Sequence, residues 1–97
     1  MDESAAEARA GQFLATLALR EAVVALDRRK PPLRRSWCHV YFWNTRRYLS
    51  TRHPLDSMAD NGPIVVPLDG STPFLLPTYA SPEELLDEYE RRYGLGP

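Results

Sequence analysis

Ninety-seven residues, 43% of them apolar and 26% charged, suffice for one hydrophobic core and are too few for two. The balance is globular rather than disordered, no apolar run approaches the roughly 20 residues of a membrane span, and the single cysteine, Cys38, excludes both an internal disulfide and a cysteine-pair metal site. The net charge of −1 conceals an asymmetry: Arg28, Arg29, Lys30, Arg34, Arg35, Arg46, Arg47 and Arg52 stand with no acidic residue between Arg28 and Leu55, and all 13 carboxylates lie outside that stretch. Such a block attracts nucleic acid or an acidic protein, or it neutralises the chain's own acidic helices.

The chain opens Met1-Asp2-Glu3-Ser4, acidic and without an apolar stretch ahead of a small-residue cleavage site. The expectation is therefore a chain with no secretory signal that resides in the cytoplasm. Ser4 and Glu7 have capping-box spacing, and no proline interrupts Ala5 to Arg29. Phe13, Leu14, Leu17, Leu19, Val23, Val24 and Leu26 recur at helical spacing, Arg28, Arg29 and Lys30 suit the negative end of a helix dipole, and Pro31-Pro32 ends the run. A long N-terminal helix is predicted. Its apolar surface is wider than one packed face needs, which points to a homodimer or a partner at this helix.

Two periods compete in Trp37-Cys38-His39-Val40-Tyr41-Phe42-Trp43. The residues are strand formers, yet Cys38, Tyr41, Phe42, Thr45, Tyr48 and Leu49 fall on one helical stripe with His39 and Arg46 opposite. The continuation of the stripe past Asn44 favours a helix, on which Trp43 projects outward. As a strand, the same segment buries Trp43. Downstream, Pro54 suits the first position of a short helix over Leu55 to Asp60, closed by Asn61-Gly62. Ile64-Val65-Val66 and Pro73-Phe74-Leu75-Leu76 flank an Asp69-Gly70 turn and read as a hairpin, with Pro67, Pro73 and Pro77 restricting it to short or edge strands. Ser81, Pro82, Glu84 and Gly94 supply the start and stop signals of a final helix, with Leu85, Leu86, Tyr89 and Tyr93 on its apolar face.

No phosphate-cradling, zinc-protease or nucleophile-elbow motif occurs. A nucleophilic Cys38 would need His53 and Asp56 beside it, whereas a cysteine among Trp37, Val40 and Phe42 is more often a buried, inert residue. Cys38, His39 and His53 do not make a metal set, because neighbours 38 and 39 diverge on helix and strand alike. Neither a catalytic residue nor a cofactor is expected. Arg34, Arg35, Arg46 and Arg47 interleave with Trp37, Tyr41, Trp43 and Tyr48, as in surfaces that stack bases and hold phosphates, but no recognition motif accompanies them.

Val40-Tyr41-Phe42-Trp43-Asn44-Thr45-Arg46-Arg47-Tyr48-Leu49, followed by His53-Pro54-Leu55-Asp56-Ser57-Met58, resembles the toxin-binding domain of the Xre/ParS-type antitoxins. Leu49, Pro54, Asp56 and Gly62 take the places of that family's loop leucine, Pro-x-Asp and glycine, while Thr45-Arg46 stands where it has Pro-Asn. The resemblance implies an aromatic helix and a domain that folds against an RES-type, NAD-degrading toxin and blocks its active site. Further on, Asp69-Gly70, Leu76-Pro77-Thr78-Tyr79-Ala80-Ser81 and Glu83-Glu84-Leu85 are similar to the strand-to-helix passage of the SseB-type (enhanced serine sensitivity) domains, which implies an accessory binding module.

The sequence thus predicts one α+β domain over residues 1–97: a long N-terminal helix, an aromatic middle helix (or strand), a short helix, a β-hairpin and a capped C-terminal helix. Its expected role is a non-catalytic, antitoxin-like regulator that binds another protein, a toxin enzyme, through Trp43, Arg46, Arg47, Tyr48, Arg52 and His53. The alternatives are a nucleic-acid-associated factor using the basic aromatic segment 28–52 and an SseB-like accessory module. No membrane partner is expected.

Overall fold

Alternation along one extended segment decides the architecture. In the computed structural model, which describes residues 1–17, 23–58 and 61–95, Cys38 and Val40 face one hydrophobic cluster while Tyr41 and Trp43 face another. The segment is strand, β3 (Cys38–Tyr41) and β4 (Trp43–Thr45), and not the aromatic helix that the stripe favoured and the antitoxin resemblance implied. A helix would offer this segment a single core. Strand geometry gives it two, and in addition a backbone ladder to β5 (Ile64–Pro67), from Cys38↔Pro67 to Tyr41↔Ile64.

The remaining elements build on that strand. β2 (Leu33–Arg34) pairs with β3 on its other edge, and β6 (Phe74–Leu75) pairs with β5, so a four-stranded antiparallel sheet runs in the order β2-β3-β5-β6. β1 (Val24–Leu26) pairs with β4 in a separate two-stranded ribbon. Asp27 donates its backbone N–H to the carbonyl of Phe42 at 2.8 Å, so β1 and β2 are two pieces of one arm running antiparallel to β3 and β4, with residues 28–32 bulging out between them.

Helices cover both faces of the sheet. α1 (Glu3–Thr16) sets Ala6, Ala10 and Leu14 against Tyr41, Trp43, Ile64 and Val66. The two alanines, spaced i, i+4, let the helix backbone lie close to the strands. On the opposite face α3 (Pro82–Tyr93) packs Leu85 and Leu86 against Cys38, Val40, Val65 and Leu76. Ile64, Val40, Val65, Val66 and Leu86 are fully buried, each stabilising the fold by about 1.5–3 kcal/mol of transfer free energy. α3 follows its sequence signals closely: Ser81 accepts from the Glu84 N–H, and Gly94 ends the helix in the left-handed region at φ 66°.

The N-terminal helix is shorter than predicted. Asp2 caps it, not Ser4, by accepting the Ala5 N–H at 2.7 Å, and it ends at Thr16. Val24 and Leu26 fit the helical period but belong to β1, while Leu19 and the rest of residues 18–22 lie outside the described residues. The surplus apolar surface that suggested a dimer is thereby divided between helix and strand. The short third helix is also smaller: a single 3-10 turn spans Pro54–Asp56 and stops at the extended Ser57, with residues 59–60 outside the described set. Gly62 is no helix terminator. A Cβ there would overlap the carbonyl oxygen of Leu76, so glycine is what lets the chain entering β5 lie against the chain leaving β6.

Candidate partner-binding surface

The corner formed by β4, α2 (Arg46–Thr51) and the 3-10 turn holds the residues singled out for binding. Trp43 does not project outward. It is 5% exposed in the α1-side cluster, and its indole N–H donates to the carbonyl of Gly62 at 2.8 Å. Its neighbours are tied as firmly. The Asn44 side-chain carbonyl accepts the N–H groups of Thr45 and Met58, and its amide donates to the Ser57 hydroxyl. The Thr45 hydroxyl donates to the Asp56 carbonyl and caps α2 by accepting the Tyr48 N–H. Asn61 donates to the Trp43 carbonyl at 2.6 Å. Trp43 is therefore a core residue beneath the corner, because β4 turns its side chain toward α1.

Arg52 is occupied as well. Its guanidinium meets buried Asp27 through two hydrogen bonds, at 2.9 and 3.0 Å, and lies over the Tyr48 ring. The Arg52 hydrogen bond, joined by the Arg29 N–H, holds the Asp27 carboxyl below its ordinary range against the opposing effect of burial. Arg52 sits at φ 56°, a left-handed conformation uncommon outside glycine, which ends α2 and aims the side chain at Asp27. Nothing in the chain's periodicity marked Asp27. The one available signal was its place as the last carboxylate before the basic block.

What remains at the surface of the corner is Arg46, Arg47 and His53, with Tyr48 half-buried beside them. The His53 ring nitrogen Nδ1 accepts the Leu55 N–H and so caps the 3-10 turn, while Arg47 reaches Asp56 at 3.0 Å. The residue missed by sequence reasoning is Leu55, 87% exposed at the tip of the turn. Its only cue was an apolar side chain that fits neither flanking period.

The rest of the basic block is largely spent within the chain. Arg28 meets Glu7 and Arg34 meets Glu3, both carboxylates on α1, and Arg35 bridges Asp87 and Glu90 on α3. The neutralising alternative weighed for these arginines is the arrangement found. Glu90, nearly buried, also accepts the Trp37 indole N–H at 2.9 Å.

Cys38 lies on the α3 side of the sheet with no exposure, and burial, reinforced by Glu90, pushes its thiol up to about 12. It stays protonated at neutral pH and makes a poor nucleophile. His53 and Asp56 belong to the α2 corner and are engaged there, so the three are not brought together. Among the described residues no group of three or more His, Cys, Asp and Glu is placed to hold a metal ion, and no helix is long and apolar enough to cross a membrane.

A second exposed feature lies at β6 and α3. Tyr79 is 77% and Tyr93 59% exposed, with Leu75 and Leu95 at the surface nearby in sequence. Tyr89 stacks between Trp37 and Phe74, at ring-centroid distances of 4.9 and 5.7 Å, and contacts Tyr93 at 4.5 Å.

The geometry thus defines a small α+β domain presenting two exposed side-chain patches on a sheet covered by helices. The model of the Immunity protein 35 family matches residues 4–92, and the chain belongs to that family, a toxin-immunity family. The match lies there and not with the Xre/ParS-type antitoxins or the SseB-type domains. Comparison with curated proteins and with solved structures gives no match.

Proposed function

We propose that this chain is a non-catalytic regulator that binds a toxin enzyme and holds it inactive, in the cytoplasm of the cell that it protects. The observation that carries this reading is membership of the Immunity protein 35 family across residues 4–92. The buried thiol of Cys38 and its separation from His53 and Asp56 support inhibition by binding over inhibition by chemistry.

The proposed contact surface is the α2 corner, with Arg46, Arg47, Tyr48 and His53 around Leu55. An exposed leucine beside His53 and next to the Arg47–Asp56 pair gives a partner one apolar anchor with polar neighbours, the arrangement in which a few residues dominate binding. Trp43 and Arg52 act beneath that surface, fixing the turn and α2. A nucleic-acid role for segment 28–52 draws less support, because Arg28, Arg34, Arg35, Arg47 and Arg52 each meet a carboxylate of the chain itself.

The test is capture of the toxin with the tagged full chain in its native host, followed by expression of the captured protein alone and with this chain. The expected result is growth arrest by the captured protein and relief on co-expression. If the captured proteins arrest no growth, or the chain gives no relief, the reading is wrong.

A further inference from the structure

The groove between β6 and α3 has an occupant written into its walls. It encloses about 240 Å³ and is lined by Phe74, Leu76, Tyr79, Leu85, Glu88 and Tyr89, among others. Leu85, Glu88, Tyr89 and Arg92 follow one another at helical spacing along the edge of α3, and Glu84 extends the same edge by a turn. The floor is rigid, since Tyr89 is fixed between Trp37 and Phe74. A floor already fixed loses little side-chain entropy when it is covered.

Chemistry narrows what fits. Tyr79 stands 77% exposed over the groove, and no hydrogen bond of its phenol occurs among the described residues. A large aromatic with a free polar tip is the residue type that dominates interfaces. The rim charge is acidic at the N-terminal end of α3: Glu83 and Glu84 form no ion pair among the described residues, whereas Asp87 is taken by Arg35 and Glu88 only loosely by Arg92, at 3.5 Å between exposed side chains. The mode of docking is set by the flanks of β6. This edge strand has two residues, and Pro73 and Pro77 on either side lack the N–H that an added strand would need. A guest therefore enters by its side chains and does not extend the sheet.

We propose that this groove binds an extended protein segment carrying one large apolar side chain flanked by lysine or arginine. The apolar group lies on Phe74, Leu76, Leu85 and Tyr89 under Tyr79, and the cation lies against Glu84 at the rim, Glu88 being shared with Arg92, which also lines the groove. The inference rests on the reading above only for its identification of the toxin as the owner of the segment.

The experiment titrates the full chain into two labelled peptides of equal length, one alternating Lys with Leu and Phe, the other with Glu at every Lys, followed by fluorescence anisotropy. The basic peptide is expected to bind at least about tenfold more tightly than the acidic one, with weakening by salt. Tyr79→Ala and Glu84→Lys should each weaken it by about tenfold with the melting temperature unchanged, and Leu55→Ala should have no effect. Equal binding of the two peptides, wild-type affinity in both groove variants, or loss in Leu55→Ala overturns the proposal. Failure of the two readings is separable. If the chain relieves the toxin and Tyr79→Ala relieves it equally well, the groove is not the docking site and the immunity reading stands. If the chain binds the basic peptide at the groove yet relieves no toxin, the groove stands and the immunity reading falls.

Discussion

Two aromatic regions of this protein are built from similar residues and have opposite fates. Around β4, Trp43, Asn44 and Thr45 direct every notable polar group inward: the indole to Gly62, the amide to Ser57, the hydroxyl to Asp56. Around α3, Tyr79 stays in solvent and Tyr93 is more than half exposed with its ring resting on Tyr89, which is itself stacked between Trp37 and Phe74. An aromatic residue next to arginines is not thereby a contact residue. What separates the two regions is whether the polar tip finds a partner within the fold. A buried tip that lost its partner would cost about 1–3 kcal/mol, so satisfied tips identify structure and unsatisfied, exposed ones identify surface.

Trp43 carries the largest expected effect. Trp43→Ala empties a buried site and orphans the Gly62 carbonyl, at an expected cost of about 3–5 kcal/mol, against a total of about 5–10 kcal/mol for a domain of this size. Circular dichroism should find the variant largely unfolded at 37 °C. A melting temperature near that of the wild type would mean that the β4 corner is no more structural than α3. Gly62→Ala attacks the same corner through the backbone. The new methyl meets the Leu76 carbonyl, which no side-chain rotation can relieve, and a loss of roughly 2–3 kcal/mol is expected in urea titration.

A smaller effect sharpens the contrast through pH. The Asp27 carboxyl is held below its ordinary value of 3.8, chiefly by its hydrogen bond from Arg52. A depressed carboxyl contributes stability that is complete above the ordinary value and is lost as pH falls through the value in the fold. Asp27→Asn should therefore melt about 5 °C lower than the wild type at pH 7, and the gap should close as pH drops below 3.8. A gap that does not narrow at all as pH falls below 3.8 would assign the loss to packing rather than charge. The smallest effect belongs to the open region. Tyr79→Ala should shift unfolding by no more than about 0.5 kcal/mol, and a loss comparable to that of Trp43→Ala would erase the distinction between the two regions.

The parts of the fold legible in the sequence are those carrying local punctuation. Ser81, Pro82 and Gly94 bound α3, and Asp69-Gly70, with Gly70 at φ 91°, turns the hairpin. The misread parts depend on partners distant in the chain. Val24 and Leu26 satisfy a helical period as well as they pair with Thr45 and Trp43, and no local feature separates the two outcomes. Cys38 to Tyr41 became strand because β5, some 25 residues onward, offers both a ladder and a second core. Of the residues expected to bind a partner, Arg46, Arg47 and His53 reach the surface, while Trp43 and Arg52 are drawn inward by Gly62 and Asp27. Cys38 was legible as a buried residue because Trp37, Val40 and Phe42 surround it in the chain, and it has no exposure in the fold.

The position of β5 between β3 and β6 has a consequence for the chain as it is made. Translation delivers α1, the β1–β4 ribbon and the β2–β3 hairpin first, and these pair among themselves over short sequence distances. Yet β3 then has one edge unsatisfied, with Tyr41 and Val40 lacking the neighbours Ile64 and Val65 that cover them in the finished sheet. Only when residues 64–67 leave the ribosome is that edge closed, and only once α3 follows is the Cys38 face covered. Between the emergence of β3 and that of β5 the nascent protein thus has a sticky β-edge on display, the condition that favours capture by chaperones or by another nascent copy.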